Sequence, residues 1–232
     1  MPTFDVSVGN NSAITNLRRF IPAGKKTINS ILKRGEVFVA WAVRKRYSAI
    51  ILPLETFTSK AAARKVKQLK EQAEKYGIAI EAGGRSISSL VPGKNFFLHR
   101  DYFRMAEGKR VKRHHFCPTN PDTLKAIKKE ATRLFHAAAG IKVFHLWPDK
   151  GAENTWCSCP PCRAFTPSEQ NCITVNAAAD ALASVDPRAL ITYFERSGED
   201  GNILARKNLV KMDRLPDEKD FPDPTTQAKE TD

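Results

Sequence analysis

The chain has 232 residues, 41% of them hydrophobic, 27% charged and 38 of them Lys or Arg, for a net charge of +13. That is enough to bury one sizeable core and short for two full domains. No apolar run approaches the ~20 residues needed to cross a bilayer, so a spanning helix is excluded. Five cysteines, three of them between Cys157 and Cys162, do not make a disulfide framework. The opening Met1-Pro-Thr-Phe-Asp-Val lacks the charged and apolar regions of a secretory signal, and a reduced, cytoplasmic protein is expected.

Much of the positive charge falls on Lys60 to Lys75 and on Lys109-Arg-Val-Lys-Arg-His-His115. The first reads as the wet face of a helix. The second reads as a solvated loop, a phosphate-binding patch or a clamp for an acidic sugar.

In chain order, residues 13–21 form a first strand, weakly marked. Thr27 to Arg46 then carries Ile28, Ile31, Leu32, Val39, Trp41 and Ala42 at helical spacing, with Gly35 as a soft spot. Tyr47 to Glu55 is a continuous apolar run, as in a strand buried on both faces. Residues 59–75 predict an amphipathic helix with Ala62, Val66, Leu69 and Ala73 on one stripe. Gly77-Ile-Ala-Ile-Glu81 is the next strand, closed by Ala82-Gly83-Gly84. An irregular stretch over 85–119 ends at Asn120-Pro121, a helix cap followed by proline at the first helical position. Leu124, Ile127, Ala131, Leu134 and Ala138 continue that helix, and Gly140 stops it. Lys142 to Asp149 is a strand. Thr166-Pro-Ser-Glu169 is a capping box for a helix reaching Ser184, and Ala189 to Glu195 is a last strand.

Strand and helix alternate throughout, the pattern of parallel βα units. The expected fold is therefore α/β, a partial (β/α)8 barrel of the TIM type with about five units. It occupies residues 1–211. From 212 the chain turns acidic and proline-bearing (Pro216, Pro222, Pro224), which predicts a disordered tail over 212–232.

Four strands end in an acid: Glu55, Glu81, Asp149 and Glu195. In a parallel barrel the carboxyl ends of the strands converge on one face, where catalytic groups sit. Glycoside hydrolysis needs two carboxyl groups, one to protonate the leaving oxygen and one to attack or to activate water. These four are the candidate catalytic residues, with Asp149 and Glu81 as the favoured pair. The bland alternative is that each acid caps a helix or stays solvated. Trp147 and Trp156 are candidate sugar-stacking residues, although Trp147 can equally be core, and Arg85 and His145 are further binding candidates.

Cys157-Ser-Cys159-Pro-Pro-Cys162 brings three thiols within six positions. They can share one zinc ion, with Cys117, His145 or one of His114 and His115 as fourth ligand. Inert buried thiols or a redox-sensitive loop are the alternatives.

The segments Tyr76-Gly-Ile-Ala-Ile-Glu-Ala-Gly-Gly84, Phe96-Phe-Leu-His, Tyr102-Phe-Arg-Met, Gly108-Lys-Arg110, Phe116-Cys-Pro-Thr-Asn-Pro121, His145-Leu-Trp-Pro-Asp149 and the cysteine loop occur in one order. Together they resemble the domain-of-unknown-function 4838 family, barrel proteins grouped with the glycoside hydrolases and similar to α-glucuronidases. The resemblance covers Arg18 to Glu195. It implies a (β/α)8 fold and carbohydrate chemistry, and it matches Glu81, Asp149 and the cysteines 157, 159 and 162. Where the family pattern has His or an aromatic residue after Gly-Gly, this chain has Arg85. About five strands are legible against the eight of a full barrel, which predicts an open sheet edge available for self-association.

Three functions stay open on this reading. One is a carbohydrate-active protein of glycoside-hydrolase type, inactive if the barrel is incomplete. Another is a non-catalytic sugar-binding or vestigial protein. The last is a zinc-bearing nucleic-acid-binding protein, against which no finger spacing or aromatic-interleaved basic motif is present.

Overall fold

A computed structural model describes residues 14–152, 155–194 and 203–219. The chain starts with strand β1 (Arg19–Pro22), helices α1 (Gly24–Lys33) and α2 (Gly35–Arg44), and strand β2 (Ala49–Leu52). Helices α3 (Leu54–Thr58) and α4 (Lys60–Lys75) lead to β3 (Ala79–Gly84). Three short 3-10 turns then precede a small antiparallel hairpin of β4 (Met105–Ala106) and β5 (Lys109–Arg110). After it come α5 (Pro121–Ala137), β6 (Val143–Leu146), α6 (Pro167–Val185), β7 (Leu190–Phe194), β8 (Leu209–Met212) and β9 (Glu218–Lys219).

Seven strands form one sheet in the order β8-β7-β6-β3-β2-β1-β9, and every pairing in it is parallel. The strands expected over 47–54, 77–81, 142–148 and 189–194 are thus neighbours in chain order. The sheet is curled. Laid flat, seven strands at ~4.8 Å spacing would separate the two edges by about 29 Å. The edges β8 and β9 are consecutive in the chain, and residues 213–217 can reach only about 20 Å. Among the described residues β8 and β9 do not pair, so the ring stays open there. Leu215 fills part of the opening, packing against Ile21, Ile51 and Trp147. The fold is an α/β partial barrel of the TIM type.

Two strands exceed the expected count. In β8, Leu209, Val210 and Met212 are buried and Lys211 is exposed, a strand too short to show against its polar surroundings. β9 pairs with β1, Ile21 opposite Glu218 and Pro22 opposite Lys219, with both of its own residues exposed, so its charged sequence gives no hint of it. Part of the stretch expected as a tail from 212 therefore carries the end of β8 and all of β9; residues 220–232 lie outside the described residues.

The helix expected over 27–46 is two helices. Arg34 leaves helical geometry (φ −120°, ψ 36°). At Gly35 an added Cβ would meet the Gln72 side chain of α4 at 2.7 Å. Glycine is a weak helix former, and here it admits the close approach of α4.

The strands alternate between two cores. Outward residues Phe20, Ile50, Leu52, Phe144, Leu146 and Ile191 pack under the helices with Ile31, Phe38, Leu69, Ile127, Leu134 and Val175. Inward residues are polar at mid-height: Arg19, Glu81, His145 and Thr192 are all buried. An apolar layer lies to one side (Ile14, Leu190, Val210) and another towards the carboxyl ends (Ile21, Ile51, Trp147).

Candidate functional site

Glu81 is inside the barrel, 2% exposed. Arg19 grips it with Nε at 2.6 Å from Oε2 and Nη2 at 3.3 Å from Oε1. His145 Nε2 lies 2.9 Å from the same Oε2, and His145 Nδ1 lies 2.6 Å from Thr192 Oγ1. Trp147 Nε1 donates to that hydroxyl oxygen at 2.9 Å. An indole N–H can only donate, so the Thr192 hydroxyl accepts there and is free to donate its own proton to Nδ1. That leaves Nε2–H on His145 to donate to Glu81. Burial pushes the Glu81 carboxyl up, but His145 and Arg19 together outweigh it and hold the group below its ordinary range. Burial likewise lowers His145, against the pull of Glu81, which keeps the imidazole neutral.

The rim is arranged differently. Asp149 follows β6 and accepts a hydrogen bond from Ser88 Oγ at 2.9 Å. His114 Nδ1 is 3.8 Å from its other oxygen, and the Asp149 side chain is 22% exposed. Burial raises the carboxyl above its ordinary value against those two partners. Asp149, Ser88 and His114 share a cavity of about 310 Å³ with Val91, Gly93, Phe103, Lys112, Arg113 and Phe116. Among the described residues Asp149 is the only carboxylate lining it. Glu55 is also on this side, exposed in the first turn of α3, and accepts from Ser89 Oγ at 2.9 Å. The adjacent Ser88 and Ser89 thus each hold one strand-end acid.

The structure does not bring all the candidates together. Glu81 and His145 belong to the barrel interior rather than the rim, because strand alternation turns them inward one step below Gly83 and Trp147. Trp147 is 1% exposed and presents no open ring face. Trp156 is 7% exposed and stacks on His115, ring centroids 4.0 Å apart. Arg85 is half-buried just after β3 and does not line the cavity. Glu195 lies outside the described residues.

Residues that the sequence reading passed over stand at the cavity instead. Ser88 is reached because β3 ends in two glycines. At Gly83 (φ +115°) a Cβ would fall 2.0 Å from the His145 carbonyl oxygen, so no other residue fits beside β6. The chain then turns back, Ile87 N bonding the Trp147 carbonyl and Ser86 Oγ the His145 carbonyl. Phe97 is 74% exposed, and the ammonium of the cavity residue Lys112 lies over its ring, 4.9 Å from the centre. Gly-Gly followed by serines was the only signal in the sequence for this turn.

Beneath the basic loop lies a cluster of four thiols. Cys117, Cys157, Cys159 and Cys162 are buried, and their sulfurs all lie within 4.8 Å of one another. None of them is in a disulfide. Cys117 joins the three expected thiols, and His145 and His115 do not: the first is committed to Glu81, the second bonds the Ala152 carbonyl at 2.7 Å. Gln170 of α6 fixes the loop, accepting from Cys157 N and donating to the carbonyls of Cys157, Cys162 and Phe165. Cys172 is separate, on α6.

No protein-family model and no curated protein matches this chain. Solved structures match at low identity. The GH20 catalytic modules of the pneumococcal exo-β-D-N-acetylglucosaminidase superpose with a TM-score of 0.55 at 14% identity, over 88% of this chain and 60% of theirs. A β-galactosidase from Rahnella sp. R3 gives 0.53 at 13% identity, over 80% and 36%. Another, from the Antarctic haloarchaeon Halorubrum lacusprofundi, gives 0.52 at 9% identity, over 79% and 37%. This chain spans 60% or less of the length of each. The likeness is one of fold.

Proposed function

We propose that this is a carbohydrate-active protein of glycoside-hydrolase type, with its ligand seated over Asp149 at the carboxyl-end rim. The observation that carries the reading is the Asp149 carboxyl: at a strand end, lining a cavity, and raised by burial towards the protonated form. A proton donor to a leaving oxygen needs that condition. The carboxyl ends of the strands are where barrel enzymes place their chemistry. Lys112 and Arg113 on the cavity wall favour a sugar bearing an anionic group, and exposed Phe97 offers a surface for a ring face. The second carboxyl would come from Glu55, which Ser89 holds on the same side, rather than from Glu81, which the Arg19 and His145 pairings occupy.

The test is a panel of aryl glycosides and uronides with the unmodified chain, Asp149→Asn and Glu55→Gln. Cleavage lost in Asp149→Asn with the fold intact is the expected result. Cleavage unchanged in both variants would remove Asp149 and Glu55 from the chemistry.

A second reading, non-catalytic sugar binding, is favoured by Asp149 being the lone carboxylate in the cavity among the described residues. Glycoside hydrolysis takes two. Calorimetry with acidic oligosaccharides separates the two: binding weakened by Asp149→Asn, with no cleavage by the unmodified chain, selects this one.

A further inference from the structure

We propose that Cys117, Cys157, Cys159 and Cys162 form a closed tetrathiolate site for a structural zinc ion, which pins the basic loop of the cavity to the connection after β6. The geometry comes first. Zinc–sulfur bonds of ~2.3 Å in a tetrahedron put the sulfurs about 3.8 Å apart. Cys117 Sγ lies 3.6 Å from Cys159 Sγ and 3.7 Å from Cys162 Sγ, and all four sulfurs fall within 4.8 Å of one another. Four soft ligands in that arrangement suit zinc, and with no position left for water the site is structural rather than catalytic.

The surroundings match a bound thiolate cluster. Met105 N–H donates to Cys157 Sγ at 3.2 Å, and the Thr119 hydroxyl lies 3.0 Å from Cys162 Sγ. The Arg110 guanidinium is 3.9 Å from Cys157 Sγ. Such donors orient ligands and offset their charge, as outer partners of metal sites do. Four thiols release four protons on binding, so zinc leaves a net charge of about −2 on the cluster, and Arg110 opposes it.

The local chain explains why these residues meet. Cys159 starts the 3-10 turn Pro160–Ala164, which swings Cys162 back beside it. Cys117 arrives from the far end of the β4–β5 hairpin, its N–H bonded to the Tyr102 carbonyl. Ser158 closes the join, its N–H and hydroxyl both donating to the Met105 carbonyl. Between the hairpin and Cys117 lie Lys112, Arg113 and His114, which line the cavity. The ion would therefore hold that wall in place. This inference does not depend on the ligand or chemistry proposed above.

The experiment is elemental analysis of the full chain purified under reducing conditions with zinc in the growth medium. About one zinc per chain is expected. Cys117→Ser and Cys159→Ser should each lose it, while Cys172→Ser, whose thiol lies outside the cluster, should keep it. If the first two variants fail to fold, the unmodified chain still decides. A chromogenic chelator with a thiol-blocking mercurial should release about one zinc per chain, and cobalt loaded in its place should show a thiolate-to-cobalt charge-transfer band and a tetrahedral spectrum. Absence of zinc from the reduced protein, zinc retained in Cys117→Ser, or zinc lost in Cys172→Ser would overturn the assignment.

Discussion

His145 Nε2 donates to Glu81 Oε2 across 2.9 Å in the middle of the barrel, on the oxygen that also receives Arg19 Nε. An acid, a base and a neutral imidazole thus form one buried cluster, tied through Thr192 to Trp147. Its members come from β1, β3, β6 and β7, so it ties together strands that lie apart in the sequence.

Removing one partner should be costly. Glu81→Ala leaves the Arg19 guanidinium buried and unpaired, for an expected loss of about 3–5 kcal/mol in urea unfolding. Replacing both as Arg19→Met with Glu81→Leu should recover most of that, because no charge is then stranded. Losses that simply add would show that the pair does not act as a unit.

Acid should undo the same cluster in two stages. His145 is depressed below its ordinary value of 6.5, so its unfolded form takes up protons first, and stability falls as pH drops below about 6.5. Glu81 is depressed below 4.5, so its contribution is complete above that pH and is lost as pH falls through its folded value. A thermal-shift series from pH 8 to 3 should show both declines. His145→Gln should flatten the first and also weaken the second, since His145 is one of the two groups that hold Glu81 down.

The extent to which the sequence disclosed this follows from periodicity. Strands buried on both faces read as continuous apolar runs, so β2 and β7 were legible, and caps at Asn120 and Thr166 marked the starts of α5 and α6 to the residue. Side-chain direction was not. The acids at 55, 81 and 149 share a sequence pattern, yet one step of strand alternation sends Glu81 inward while Asp149 lies past the last residue of β6. Local pattern cannot count such steps where a strand ends in Gly83-Gly84, whose backbone conformation depends on the neighbouring strand. The fourth thiol was named only as one of several choices, because Cys117 stands 42 residues before Cys159 in the chain and only the fold brings them together.

The join between β8 and β9 should be sensitive to charge. Leu215 packs on Ile21, Ile51 and Trp147 at the open side of the ring. Leu215→Asp places a carboxylate against that layer and should cost roughly 2 kcal/mol. It should also raise the tendency to associate, since the edges of β8 and β9 would be left less covered. Light scattering and thermal melts check both, and a melt unchanged from the parent would show that the contact contributes nothing.

Asp149→Asn should make the protein more stable while taking away its function. The folded carboxyl is raised above 3.8 chiefly by burial, so folding favours its protonated form, and stability falls as pH rises through the folded value. Above that pH the ionised group is held in partly desolvated surroundings. Asparagine fills the same space, still accepts from Ser88 and carries no charge. At pH 7 the variant should gain about 0.5–2 kcal/mol, the usual size of a single stabilising substitution. Below about pH 3.8, where the carboxyl is protonated in both states, the gain should vanish. Chemical denaturation of both proteins at pH 7 and pH 3.5 measures the difference directly. A gain confined to the higher pH, together with loss of sugar binding or cleavage, would identify Asp149 as a residue placed for function. A loss of stability at pH 7 would instead make the carboxylate a structural partner of His114.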